Sequence, residues 1–266
     1  MRCLCESVTR GIMNKDQWLK VMLLVGLLLM LISITKKGIM PGVEEIDGSL
    51  FQDPVQTRVK ARPFRAVVDG NTYIIQPLYD YELRGLVVSY HNSNVWWDIY
   101  HHGLWQDFIN VKDLCVVWGD NLTPEVYDDM VFNSDNWTCF ATPVDEKSMA
   151  RFRLEQLSNN HLLSISDDIP DVIMDVEKGD QIHLRGKLVN YANPVTRTSR
   201  SSSISRTDKG NGACETIFVE QFEVIRENNP GWRTAYLWSK IIIIGSVVLL
   251  VLNFMFGDVT EVLEKR

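Results

Sequence analysis

The chain has 266 residues, of which 45% are hydrophobic and 23% are charged, and its formal net charge at pH 7 is −7. This apolar content is sufficient for a folded core and excludes a wholly disordered chain. Five cysteines in 266 residues also exclude a small scaffold held together mainly by disulfides.

The first predicted element is a membrane-spanning helix at residues 21–34, which read VMLLVGLLLMLISI and carry no charge. A run of this length suits either a short span or the apolar part of a signal peptide. Because no A-x-A-like cleavage site follows it, we interpret the run as an uncleaved signal-anchor behind an N-terminal tail, residues 1–20. Either Met1 or Met13 can be the start of that tail.

A juxtamembrane linker is predicted for residues 35–63, which contain Pro41, Gly42, Gly48 and Pro54. The soluble domain is then predicted for residues 64–228. Its pattern is mainly β, with a hairpin around Asp69-Gly70-Asn71 and an alternating strand at 181–191. Further strands are predicted at 83–90, 113–118, 137–141 and 215–225, and short helices at 94–108, 145–157 and 167–177.

The predicted fold class is therefore mainly β, a small β-barrel domain between two transmembrane helices. Short strands, few helices and Gly186 inside the best strand favour a closed or half-closed barrel. The segment KGDQIHLRGKLVNY is similar to a strand pair of an oligonucleotide/oligosaccharide-binding (OB) barrel, in which a glycine relieves crowding at a bend. We accordingly expect an OB-like barrel.

The second predicted span covers residues 235–256, with a C-terminal tail at 257–266. Its length suits a bilayer once Lys240 extends towards the interface, where Tyr236 and Trp238 also belong. The flanks outside the two spans carry six Lys and Arg against four on the inner flanks, which favours cytoplasmic termini and an extracytoplasmic domain. A start at Met13 makes the tally equal, and the orientation then depends on the signal-anchor alone.

The stretch between the spans is more acidic than the whole chain. Residues 36–234 hold 20 Lys and Arg and 29 Asp and Glu, a net charge of −9. Nucleic-acid binding requires cations that neutralise phosphates, so no nucleic-acid partner is expected. We also predict no cofactor, because the chain lacks the common phosphate-loop, dinucleotide, zinc-protease and serine-hydrolase motifs.

Three groups of polar residues are candidates for chemistry. Cys214 follows DKGNGA, and SNNH supplies Asn160 and His161, so a Cys–His–Asn nucleophilic arrangement is one hypothesis; a tight turn before a strand is the alternative. Asp98, His101 and His102 have helical spacing and are candidate metal ligands, or polar residues of an amphipathic aromatic helix. His91, His161 and His183 are available as further ligands, but their spacing does not single them out. Among Cys115, Cys139 and Cys214, we expect one disulfide and one free thiol if the domain is extracytoplasmic.

Binding candidates come from the aromatic and basic segments. Five of the eight tryptophans lie between positions 96 and 137, and core packing is favoured for Trp118 and Trp137. The adjacent Trp96 and Trp97 cannot easily both point inward, so this pair is the best candidate for a ligand or partner contact. The candidate basic binding residues lie in the flexible tract TRTSRSSSISRT, otherwise read as a strand-connecting loop, and are Arg197, Arg200 and Arg206.

Taken in order, the segments YDYELRGLVVSY, DIYHH, DFINVKDLCVVWGDN, LSNNHLL, GDQIHLRGKLVNYA and TDKGNGACETIFVEQFEVI resemble an uncharacterised family of bacterial membrane-anchored proteins over residues 77–225. The resemblance implies a bacterial origin and carries no activity or site residue.

The sequence predicts a protein of the bacterial inner membrane whose extracytoplasmic domain binds a partner protein or an envelope glycan. An envelope hydrolase, metal-assisted or Cys-dependent, is the second hypothesis. A cytoplasm-facing accessory subunit of a membrane complex is the third.

Overall fold

The structure is a computed structural model that describes residues 14–264 apart from 97, 125, 209, 211 and 212. The described chain divides into two compact units. One consists of the terminal helices, and the other is the domain Met40–Asn228. Each unit is described by itself.

The terminal unit contains the two apolar helices, α1 (Lys15–Lys37) and α4 (Pro230–Glu264). Asn14 begins α1 with a capping box, in which its side chain accepts from the Gln17 N–H and the Gln17 side chain accepts from the Asn14 N–H. Lys15–Lys37 and Pro230–Phe256 are long and apolar enough to cross a membrane, so both predicted spans are candidate membrane-spanning helices, extended beyond the predicted 21–34 and 235–256.

The two helices pack closely at a small residue. A Cβ at Gly26 of α1 would lie 3.0 Å from side-chain atoms of both Ile242 and Ile243 of α4. Small residues of this kind let membrane helices approach each other, because lipid supplies no hydrophobic force between them.

The domain is mainly sheet, as predicted. Its described residues form ten strands, β1 (Val55–Arg58), β2 (Phe64–Val68), β3 (Asn71–His91), β4 (Asn110–Val117), β5 (Met130–Ser134), β6 (Cys139–Pro143), β7 (Leu157–Leu163), β8 (Gln181–Asn193), β9 (Thr198–Arg200) and β10 (Glu215–Arg226). Two short helices accompany them, α2 (Glu146–Arg151) and α3 (Ile169–Asp175). The expected hairpin joins β2 to β3 through Asp69 and Gly70, both with positive φ.

Five strands pair in a ring. The pairings run from β3 to β4, β7, β10 and β8, and β8 pairs again with β3. The β7–β10 pair is parallel and the other four are antiparallel. One apolar cluster takes residues from every strand of this ring, namely Leu83, Leu114, Leu162, Leu184 and Ile217.

Gly186 lies where β8 and β10 come closest. A Cβ there would overlap the carbonyl oxygen of Phe218, and the β8–β10 register shifts just beyond, between Val219 and Gln221. The glycine inside this strand therefore permits the close approach of the two strands.

Several predicted elements differ from the structure. Residues 40–63, predicted as part of the linker, belong to the domain: β1 pairs with β3, and Leu50 is fully buried. The sequence predicts no strand at residues 157–163, which form β7. In place of the helix predicted at 94–108 there is a six-residue π-helix, Tyr100–Trp105, and the predicted helices at 145–157 and 167–177 shorten to α2 and α3.

Candidate functional site

A cleft of about 500 Å³ lies where two connections of the strand ring meet. One connection is the 92–109 segment between β3 and β4, and the other is the 194–214 segment between β8 and β10. The strand β7 and the turn of the β5–β6 hairpin complete its walls. The side chains in these walls include Trp105, Trp137, Thr138, His161, Arg200 and Cys214.

Trp137 is held at the tip of the β5–β6 hairpin. The Asp135 carboxylate accepts hydrogen bonds from the N–H groups of Trp137 and Thr138, at 2.9 and 2.7 Å. A disulfide between Cys115 of β4 and Cys139 of β6 fastens the hairpin to the ring, with the two Cα atoms 5.8 Å apart. One disulfide and one free thiol are expected among Cys115, Cys139 and Cys214. The structure has this arrangement, with Cys214 as the free thiol.

Aromatic and cationic groups gather around Trp137. The ring centroid of Trp105 lies 5.0 Å from that of Trp137, and the guanidinium carbon of Arg200 lies 4.2 Å from the Trp137 centroid. This is the geometry of a cation–π contact. Among the described residues, no hydrogen-bond acceptor reaches Nη1 of Arg200, although that atom is buried.

β7 presents alternate residues to opposite sides. Asn159 donates to the Trp137 carbonyl at 3.1 Å, and His161 lines the cleft, whereas Asn160 donates to the Leu114 carbonyl at 3.1 Å. Nδ1 of His161 lies 2.7 Å from Oδ1 of the buried Asp113. Burial lowers the pKa of His161 more than the neighbouring Asp113 charge raises it, so the imidazole is neutral at neutral pH.

Cys214 shares the cleft with His161 without bonding to it in the described structure. The thiol accepts from the Asn159 amide at 3.5 Å and donates to the Trp137 carbonyl at 3.7 Å. Burial raises the pKa of Cys214, which disfavours the thiolate that a nucleophile requires. Of the predicted Cys–His–Asn arrangement, two members therefore share a cleft, and Asn159 rather than Asn160 contacts the sulfur.

Two of the predicted metal candidates lie together. Oδ2 of Asp98 is 2.7 Å from Nδ1 of His101 and 2.8 Å from Nε2 of His91. His102 lies outside this group, and its ring stacks on Phe108 with centroids 4.7 Å apart. The His101 ring also contacts that of Trp137, with centroids 4.0 Å apart and planes tilted by 35°, so the group adjoins the aromatic wall of the cleft.

Of the remaining predicted binding residues, Trp96, Arg197 and Arg206 do not line the cleft. Trp96 is 86% exposed, and Trp97 lies outside the described residues. Arg197 is exposed and does not line the cleft, while Arg206 pairs with Glu215 at 2.6 Å. Of the three basic residues in the tract, Arg200 is the one that lines the cleft.

Two buried carboxyl groups have raised pKa values. Burial raises the pKa of Asp107 to about 6, although a hydrogen bond from the Tyr191 hydroxyl at 2.5 Å opposes the shift. Burial raises the pKa of Glu215 to about 7 against the opposing charge of Arg206. Both groups therefore titrate well above the usual range of carboxyl groups.

Sequence reasoning missed several members of the site. The sequence gives no reason to single out Asp113 and favours core packing for Trp137. It offers His91 as a further ligand but with no spacing that links it to Asp98. The alternation of LSNNHLL would have grouped Asn159 with His161 on one face of a strand, had that strand been recognised.

Comparison with protein-family models, with curated proteins and with solved structures finds no match to this chain.

Proposed function

We propose that this chain is a membrane-anchored binding protein whose extracytoplasmic domain takes an acidic segment of an envelope glycan into the cleft. The observation that carries the proposal is the convergence of two indole rings and a buried guanidinium nitrogen without a hydrogen-bond acceptor among the described residues. The hydroxyl groups of Thr138, Ser199 and Ser201 line the same cleft.

The order of the strands supports an OB-like barrel. The ring β3–β4–β7–β10–β8, its one parallel pair and the position of α3 between β7 and β8 are those of five-stranded OB folds. In that fold, the loops between the first and second strands and between the fourth and fifth strands bind oligonucleotides or oligosaccharides. In such a barrel, the 92–109 and 194–214 segments, whose residues Trp105 and Arg200 line the cleft, would be the corresponding loops.

The chemistry of the walls favours an acidic sugar over other ligands. Tryptophan rings provide flat apolar faces on which sugars stack, and arginine presents a planar set of donors that fits a carboxylate or phosphate. The net charge of −9 between residues 36 and 234 opposes a polyanion such as nucleic acid. A glycan with one acidic group at Arg200 satisfies both conditions.

The disulfide supports an extracytoplasmic domain. Cys115–Cys139 would persist in the oxidising bacterial periplasm, whereas disulfides are rare in the reducing cytosol. This argument, together with two candidate spans, favours an inner-membrane protein whose domain faces outward, over a cytoplasm-facing accessory subunit.

The Cys-dependent hydrolase has less support than binding. The thiol of Cys214 is not hydrogen-bonded to His161 among the described contacts, and burial raises its pKa. Binding of a partner protein is the alternative that Trp96 favours, because the Trp96 ring is 86% exposed.

The ligand proposal is tested by titrating the full chain in detergent with a uronic-acid-containing oligosaccharide. We expect Arg200→Ala to weaken binding by about tenfold or more, the usual value of a charge-assisted hydrogen bond. Arg197→Ala removes the same charge from the same loop outside the cleft and should bind as the wild type does. Equal affinity of the two variants would contradict the proposal.

The orientation is tested separately with reporters fused at position 230, at the start of the second candidate span. Periplasmic alkaline phosphatase activity supports an extracytoplasmic domain. Fluorescence from a reporter that matures only in the cytoplasm, fused at the same position, would overturn this orientation.

A further inference from the structure

Three ligand-type atoms converge beside the cleft. They are Nε2 of His91 at the end of β3, Oδ2 of Asp98, and Nδ1 of His101 in the π-helix. All three atoms lie within 4.8 Å of one another, and the carboxylate oxygen is within 2.8 Å of both imidazole nitrogens. Neutral imidazole and carboxylate are ligands that Zn²⁺ and related divalent transition metals accept.

The backbone fixes the carboxylate in position for such an ion. Oδ1 of Asp98 accepts hydrogen bonds from the N–H groups of Tyr100 and His101, at 3.1 and 3.0 Å. The other oxygen is thereby directed at the two imidazoles. Outer hydrogen bonds of this kind orient the carboxylate ligands of metal sites.

Burial and access also suit a metal with an open position. The side chains of Asp98 and His101 are 3% and 0% exposed, whereas that of His91 is 21% exposed. Three protein ligands leave at least one coordination position for water or for a ligand group, as in zinc sites that are not purely structural.

The local charge favours a cation. Asp98, Asp107 and Asp113 are all buried in this part of the domain. The negative charge of Asp113 acts on His101, while Arg200 offsets part of the charge of Asp107 and Asp113. Buried carboxylates are normally paired or coordinate a metal.

We propose that His91, Asp98 and His101 form a binding site for a divalent transition-metal ion of the zinc type. The site goes beyond glycan binding and does not depend on it. Because the His101 ring contacts that of Trp137, the ion would also fasten the 92–109 segment to the aromatic wall of the cleft.

The proposal is tested on the full chain in detergent, stripped with a chelator and then dialysed against Zn²⁺. We expect about one equivalent of bound zinc per chain by elemental analysis, as for a single three-ligand site. His91→Ala and Asp98→Asn should each weaken zinc binding by more than about tenfold, since even outer-shell changes cost that much.

Two histidine variants serve as matched controls. His183 lies outside the proposed site, and its imidazole contacts the carboxylates of Glu82 and Glu223. The His183→Ala variant should therefore still bind zinc. His102→Ala should keep it as well, because the His102 ring lies outside the three-residue group. Loss of zinc in His102→Ala with retention in His91→Ala would overturn the assignment.

A measurement on the wild type keeps the proposal testable if the variants unfold. Co²⁺ added to the stripped chain should give visible ligand-field absorption, and added Zn²⁺ should abolish it. Absence of both zinc uptake and cobalt absorption overturns the proposal and leaves the three residues as a hydrogen-bonded His–Asp–His group. In that case the titration with the acidic oligosaccharide still decides the proposed function by itself.

Discussion

The apolar interior of the strand ring and the polar cluster beside the cleft are built by different rules. The interior takes one class of residue from each strand, with Leu83, Leu114, Leu162 and Leu184 all fully buried. The polar cluster instead combines the half-buried His91 of β3 with buried residues of β4, β7 and the 92–109 segment, which are Asp113, His161, Asp98, His101 and Asp107. Burial of the first group stabilises the fold, whereas burial of the second carries a desolvation cost that structural needs alone do not explain.

This contrast indicates where function resides. Buried polar groups are tolerated when they are paired or serve a ligand. Here Arg200, His101 and Asp113 each keep one buried polar atom without a hydrogen-bond partner among the described residues. Substitutions in the interior should therefore change stability first, and substitutions at the cleft should change binding first.

The largest expected effect is a loss of stability on substitution in the apolar interior of the strand ring. Leu184→Ala should lower the free energy of unfolding by about 3 to 4 kcal/mol, because it removes buried methyl groups and leaves a cavity. Urea denaturation of the full chain in detergent measures the change. Val67→Ala, at a position 62% exposed, is the control and should change stability by less than about 0.5 kcal/mol. Similar losses in both variants would contradict the assigned interior.

The next largest effect is expected from the disulfide that fastens the β5–β6 hairpin to the ring. Replacing both Cys115 and Cys139 by Ser should cost about 3 kcal/mol, the amount expected for a closed loop of this length. The acidic oligosaccharide should also bind more weakly, because Trp137 is two residues from Cys139. A stability loss with full affinity would show that the hairpin holds Trp137 without the disulfide.

A buried carboxyl group should give a pH dependence. Burial raises the pKa of Glu215 to about 7, so the folded state binds more protons than the unfolded state between about pH 4.5 and 7. Its contribution to stability is full below this range and is lost as the pH rises from about 4.5 through about 7, by an amount of the order of 3 kcal/mol.

Glu215→Gln should flatten that decline in denaturation curves recorded from pH 4.5 to 8. Glu220→Gln changes an exposed glutamate of the same strand and is the matched control. An unchanged slope in Glu215→Gln would mean that Arg206 keeps the carboxylate charged throughout.

The smallest effect is expected at the exposed aromatic residue. Trp96→Ala should change stability by less than about 0.5 kcal/mol, since the ring is 86% exposed. Its affinity for the acidic oligosaccharide should equal that of the wild type. A loss of affinity would extend the binding surface along the 92–109 segment, beyond the cleft.

Much of the β framework could be predicted from the sequence because its strands alternate or are uniformly apolar. Residues 181–191 and 215–225 agree with β8 and β10 to within two residues. β7 could not be predicted from the sequence, because a buried strand is recognised by its apolar residues. β7 is buried along almost its whole length and yet carries Ser158, Asn159, Asn160 and His161. The burial of Leu50 inside the domain could not be predicted either, because a short apolar segment among Gly and Pro residues is typical of a linker.

The candidate site could be predicted only in part, because tertiary structure assembles it. Helical spacing pointed to Asp98, His101 and His102, but the segment forms a π-helix, and the His102 ring stacks on Phe108. His91 takes its place from the end of a strand seven residues before Asp98. Arg200 had no sequence feature that separated it from Arg197 and Arg206.

The most direct test of the central claim compares two ligands on the unmodified chain. A uronic-acid-containing oligosaccharide and its carboxyl-reduced form differ in the acidic group that Arg200 is proposed to bind. By isothermal titration of the full chain in detergent, the acidic form should bind about tenfold or more tightly, as expected for a hydrogen bond to a charged group. Equal affinities, or no binding of either form, would contradict the account.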